Sequence, residues 1–176
     1  TDLRQRKRIV VRDTGMYAFE CSLHAPPESD TPVSGEPLTD SSGKWPTLLI
    51  AQDQLSTPLP IGFDDALNQL GNLPRLYAEP DGSFVWTSPH DHARWQVNGN
   101  LYERNDNVLF VEIKGSCPAS EFNQLLACFL PDEKACVVQL TRPAVFVTAA
   151  VLRAHAAARG QAGDGASLLP PETCGW

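Results

Sequence analysis

Residues 75–115 alternate short β-rich runs with turn signals, and this punctuation limits the fold more than any other feature of the chain. "RLYAE" meets Pro80-Asp81-Gly82 and then "SFVWT"; "RWQV" meets Asn98-Gly99-Asn100 and then "LYER", followed by "NDN" and "VLFVEIKG". Runs this short, joined by turn residues rather than helices, pair with their sequence neighbours as antiparallel hairpins. Asn-Gly is among the strongest short hairpin signals, so a turn is expected at 98–100. In the last run Leu109, Val111 and Ile113 share one face and Phe110, Glu112 and Lys114 the other, as in a central strand.

The flanking sequence adds further strands and three helices. In "KRIVVRDTGMYAFECSLH" two β-rich runs flank Asp13, Thr14 and Gly15, a composition suited to a hairpin, and Tyr17, Phe19, Cys21 and Leu23 form one apolar face of the second run. From Ala25 to Pro46 the chain is dense in Pro, Ser, Asp and Gly, with too little apolar surface to offset the entropy of ordering, so a long surface loop is expected. "TLLIAQDQL" reads as a buried strand, and Phe63, Ala66, Leu67 and Leu70 as the inner side of a short helix. After "VLFVEIKG" a helix is predicted with Pro118 in its first position and Phe122, Leu125, Leu126 and Phe129 as its apolar stripe. "ACVVQL" and "AVFVT" read as strands, and Thr148 as the cap of a last helix ended by Gly160. The sum is an α+β fold: a mostly antiparallel, or mixed, sheet built from hairpins, with three helices packed mainly on one face. The length of 176 residues fits one domain over 1–160, with 26–46 a loop or linker within it and 161–176 an irregular C-terminal tail.

Composition narrows the classes of function. A net charge of −7 and a pI near 5.0 argue against broad nucleic-acid binding, which needs a basic surface to displace counterions. No uncharged apolar run approaches the roughly 20 residues that span a bilayer, so no membrane partner is expected. The basic start is followed by too short an apolar run for a signal peptide. Five cysteines, odd in number and without a C-x-x-C pair, suggest neither a disulfide scaffold nor a zinc ribbon, and point to reduced thiols and a cytoplasmic setting.

Five groups of residues could carry chemistry, each with a plainer alternative. His90 and His92, two positions apart, can converge on one Zn²⁺ from one face of a strand, with Asp91, Asp81 or Cys117 as a third ligand; alternatively they belong to a solvated turn after Ser88-Pro89. Cys117, at a strand–helix junction, would gain thiolate character from the helix dipole; otherwise it is a small buried residue. Trp86, Trp95 and Tyr102, with Phe110, could form a stacking platform for a partner on an open sheet face, or pack the core. Arg4, Arg6, Lys7 and Arg8 could meet an acidic partner, or form a solvated strand entrance.

Glu112 and Lys114 share a strand face, so a carboxylate could hold Mg²⁺ while an ammonium steadies phosphate charge; a surface charge pair has the same pattern. With Asp81 upstream, residues 63–140 resemble the PD-(D/E)xK metal-dependent nucleases, whose core runs helix, three-stranded meander, helix, strand. The resemblance implies Asp81 and Glu112 as metal ligands and Lys114 as an assistant to the chemistry. No phosphate-cradling glycine loop, G-x-S-x-G elbow or H-E-x-x-H motif occurs. The leading expectation is therefore a non-catalytic, cofactor-free domain that binds a protein or a small ligand. The alternative is a nuclease or phosphodiesterase using Mg²⁺ or Zn²⁺ at Asp81, Glu112 and Lys114.

Overall fold

Strand β1 (Met16–His24) is the axis of the molecule: along its length it pairs antiparallel with β9 (Asn107–Pro118), and over its second half also with β10 (Val137–Leu140). The computed structural model describes residues 15–28, 32–132 and 135–161. Outward from β9 lie β8 (Gln96–Arg104), β7 (Ser83–Thr87) and β6 (Leu76–Ala78), each antiparallel to its neighbour. Outward from β10 lie β11 (Val145–Thr148), β5 (Leu48–Leu49) and β2 (Val33–Ser34), completing a nine-stranded sheet in which every pairing is antiparallel. The expected meander over 75–115 is thus half of a larger sheet, and the fold is α+β.

Three helices cover one face. The register aligns Phe19 with Gly115, Cys21 with Ile113 and Leu23 with Val111 on that face, and Val97, Leu101, Phe84 and Trp86 continue it across β8 and β7. Helix α2 (Ala119–Ala127) sets Phe122 against Tyr17 and Phe19, with ring centroids 5.3 and 4.9 Å apart. Helix α1 (Phe63–Gly71) buries Phe63, Ala66 and Leu70, and α3 (Ala149–Gln161) buries Leu152 and Ala156 beside α2, where Arg153 lies 5.3 Å over the Phe122 ring. These side chains form one continuous core. Each large apolar residue in it contributes about 1.5–3 kcal/mol by leaving water. Among the described residues no helix is long and apolar enough to cross a membrane.

Several local expectations are corrected. Asn98 and Gly99 do not turn; they lie inside β8, because Gly99 leaves room for the Phe84 ring, which a Cβ would meet at 2.1 Å. The hairpin turns instead at Asn105 and Asp106, both at positive φ (50° and 67°), as a two-residue hairpin turn requires. The supposed loop 26–46 contains a separate hairpin of β3 (Leu38–Asp40) and β4 (Gly43–Trp45). "TLLIAQDQL" yields only a two-residue strand before a short 3-10 turn at Gln52–Gln54. Gly160 lies inside α3 rather than ending it: a Cβ there would stand 1.7 Å from the Met16 carbonyl oxygen, so glycine lets the helix touch β1. Thr148 caps α3 as expected, its Oγ1 accepting from the Val151 N–H at 3.2 Å. The hairpin proposed around Asp13, the basic run Arg4–Arg8 and the tail from 162 onward lie outside the described residues.

Candidate functional site

The structure disperses the residues singled out in the sequence. Trp86 and Trp95 are buried on the helix-covered face, edge to face at 5.2 Å, and the Trp86 indole N–H donates to the Pro74 carbonyl at 2.8 Å. Tyr102 points to the opposite face, so these three form no common platform; core packing took the indoles, which bury more area than any other side chains. Tyr102 instead stacks on Phe110 at 4.3 Å and donates its hydroxyl to Glu112 Oε2 at 3.0 Å. His90 and His92 lie exposed in the turn after Pro89, where His92 Nδ1 and Asp91 Oδ1 are 2.9 Å apart and this contact holds the Asp91 carboxyl below its ordinary value. Among the described residues no group of three or more His, Cys, Asp or Glu side chains could hold a metal ion.

Asp81 sits in the β6–β7 turn with Oδ1 accepting from the Ser83 hydroxyl (2.7 Å) and N–H (3.0 Å), which lower its pKa. Glu112 stands across Asn100 from Ser83, so β8 separates it from the strand that follows Asp81, about 10 Å at the usual strand spacing. Lys114 Nζ lies 3.9 Å from Glu20 Oε1 rather than toward Asp81. The meander has four strands, and the structure does not bring Asp81, Glu112 and Lys114 into one cleft. Cys117 is fully buried, and burial first, then the Glu121 carboxylate, push its thiol upward, away from the thiolate.

What the fold does bring together is a cavity of about 400 Å³ under the β3–β4 hairpin, lined by residues from four separate stretches of chain. Leu38, Asp40, Ser41 and Ser42 come from the hairpin, Glu20 from β1, Leu140, Arg142 and Pro143 from the β10–β11 connection, and His155 and Arg159 from α3. Its lining includes a pair separated by 115 residues in sequence: His155 Nε2 and Asp40 Oδ2 are 2.8 Å apart, the ring buried and the carboxylate partly so. The other oxygen, Oδ1, accepts from the Ser42 N–H (2.8 Å), the Gly43 N–H (3.1 Å) and the Trp45 indole N–H (3.1 Å). Burial by itself would raise the Asp40 carboxyl, but the bonds from His155, Trp45 and Ser42 outweigh it and hold the group ionised below its ordinary value. An ionised Asp40 can only accept, so His155 Nε2–H donates to Oδ2 and the ring turns Nδ1 away from it. The Trp45 indole stands edge-on to the ring at 5.2 Å and fixes its plane.

Glu20 links this cavity to a second, of about 280 Å³, on the uncovered sheet face among Asn98, Asn100, Glu112 and Lys114. Its Oε2 accepts from Arg142 Nε at 3.2 Å and its Oε1 faces Lys114, so one carboxylate organises two cations. Sequence reasoning missed Asp40, His155, Glu20 and Arg142. Asp40 looked like part of a turn in "TDSSG", and the sole signal at 155 was a histidine within an Ala-rich helix. Comparison of the chain with family models, with curated proteins and with solved structures finds no match.

Proposed function

We propose that the protein acts by binding, and that it takes a small ligand into the cavity between the β3–β4 hairpin, β1, the β10–β11 connection and α3. The observation that carries this reading is the convergence of a fixed Asp40–His155 pair and a Glu20–Arg142 pair on one cavity of about 400 Å³ that also has an apolar wall. Ligand sites are concave, of a few hundred Å³, largely apolar, with a few polar groups set in place beforehand, and this cavity has each property. Both polar pairs are made within the protein itself, so a ligand would meet side chains whose ordering entropy is already spent.

A ligand present at a hundredfold excess over its Kd stabilises the folded state by about 2.7 kcal/mol, a rise of several degrees in Tm for a chain of this size. The direct test is a thermal-shift screen of small fragments against the wild type and Ser42→Phe, whose ring would occupy the cavity while the backbone bond from residue 42 to Asp40 persists. Fragments that raise the wild-type Tm are expected to lose their effect on the filled variant. A fragment set that never distinguishes the two proteins would overturn the reading.

A further inference from the structure

We infer that two copies of this chain associate through strand β6 (Leu76–Ala78), edge to edge and antiparallel, in a register centred on Tyr77. This surface lies four strands from β1 and is separate from the cavity. Strand β6 ends the nine-stranded sheet. Tyr77 pairs with Val85, and the Glu79 N–H donates to the Ser83 carbonyl at 2.8 Å, so residues 77 and 79 turn their backbone groups inward to β7. Alternation then turns the backbone groups of Leu76 and Ala78 outward. The Leu76 N–H donates back to the Leu73 carbonyl at 3.3 Å, but the Leu76 carbonyl and the Ala78 N–H and carbonyl have no partner among the described residues. An unpaired row of this kind is a template for another strand.

The side chains along this edge select a second copy as that strand. The run "RLYAE", residues 75–79, is self-complementary: antiparallel pairing about Tyr77 sets Arg75 opposite Glu79 of the second copy and Leu76 opposite its Ala78. The Ala78 N–H of each copy then meets the Leu76 carbonyl of the other. Tyr77 faces its own counterpart in a pair without hydrogen bonds, the closer kind, with Cα atoms about 4.5 Å apart. Its side chain is 80% exposed and that of its cross-strand neighbour Val85 is 38% exposed, so the joined sheets would cover both on the face without helices. Arg75 spends Nε on the Thr87 carbonyl at 3.0 Å, and the Glu79 carboxylate has no partner among the described residues, so both charges are available to the second copy. Arg75 at φ 65°, with Pro74 and Pro80 just beyond, confines the pairing to the three residues of β6, which makes the dimer a weak one. Because both copies use the same edge, association closes at two and does not grow into a filament.

The test is sedimentation velocity of the full chain over a roughly hundredfold range of concentration, where the mean mass of the wild type should rise from one chain toward two. Ala78→Pro removes an N–H that serves no bond within the protein, as edge positions tolerate, and should remain monomeric throughout. Arg75→Glu and Glu79→Arg each set like charges opposite one another at both ends of the pairing, so each variant alone should associate at least tenfold more weakly than the wild type. Mixed in equal amounts, the two restore opposite charges at both ends, and association should return, weakening as salt is raised. These two variants change exposed side chains only, so they decide the matter even if Ala78→Pro fails to fold. A wild type that stays monomeric over the whole range overturns the proposal. Association undiminished in Ala78→Pro or in both charge reversals places the contact elsewhere and overturns it as well, and a mixture no tighter than either reversal alone overturns the register about Tyr77.

Discussion

His24 lies on the sheet face that carries no helix, yet it is only 8% exposed, stacked on Phe110 at 5.1 Å with Phe146 edge-on at 6.2 Å. The chain from Leu49 to Leu59 has to pass this end of the sheet, because Leu48 pairs with Phe146 and the Leu59 N–H donates to the Val108 carbonyl. The ring is 2.7 Å from Ser22 Oγ, and burial lowers its pKa to about 4. The unfolded chain would take up a proton near pH 6.5, so the folded state binds fewer protons between about pH 6.5 and 4. This contribution is fully present above pH 6.5 and is lost as pH falls through that window. Urea unfolding of the wild type should therefore lose about 2 kcal/mol from this group between pH 7 and 4.5. His24→Gln should show a correspondingly flatter profile, and parallel profiles for the two proteins would refute the assignment.

At the scale of elements, the two Asn-containing segments of the β8–β9 ribbon show how packing reassigns a local signal. Asn98-Gly99 has the better hairpin composition, but its glycine serves the Phe84 ring; Asn105-Asp106 has the poorer one and makes the turn. Gly99→Ala should lower stability by about 1–3 kcal/mol through overpacking, and Phe84→Leu should recover part of that loss in a double-mutant cycle. Additive losses would show that the ring is not the cause. Asp106→Gly should do the reverse and raise stability by about 0.5–1 kcal/mol, read as a higher denaturation midpoint, because glycine adopts positive φ without the Cβ penalty. A lower midpoint would mean that the Asp106 side chain matters more than its backbone angle. The candidate site obeys the same logic: the β3–β4 hairpin lies outside the main sheet, and the Asp40–His155 contact fastens it to α3.

At the scale of the whole molecule, the single core also governs the thiols. Cys21, Cys117, Cys128 and Cys136 are all buried and outside any disulfide; burial pushes the Cys21 and Cys117 thiols well up and Cys128 up to about 11. Pulsed alkylation across a urea gradient should therefore label these four in step with global unfolding and spare them in the native state. Native labelling of Cys117 would revive it as a reactive group. The α+β class, the antiparallel pairing of neighbours over 75–115, the α1 and α2 stripes and the Thr148 cap were legible from sequence, because period, turn chemistry and capping act over a few residues. The central place of β1 between β9 and β10 was not, nor the burial of Trp86 and Trp95 apart from Tyr102, nor the union of Asp40 with His155. Those depend on which distant strands and helices bury the most apolar surface together, a choice made by the whole chain and carried by no local pattern.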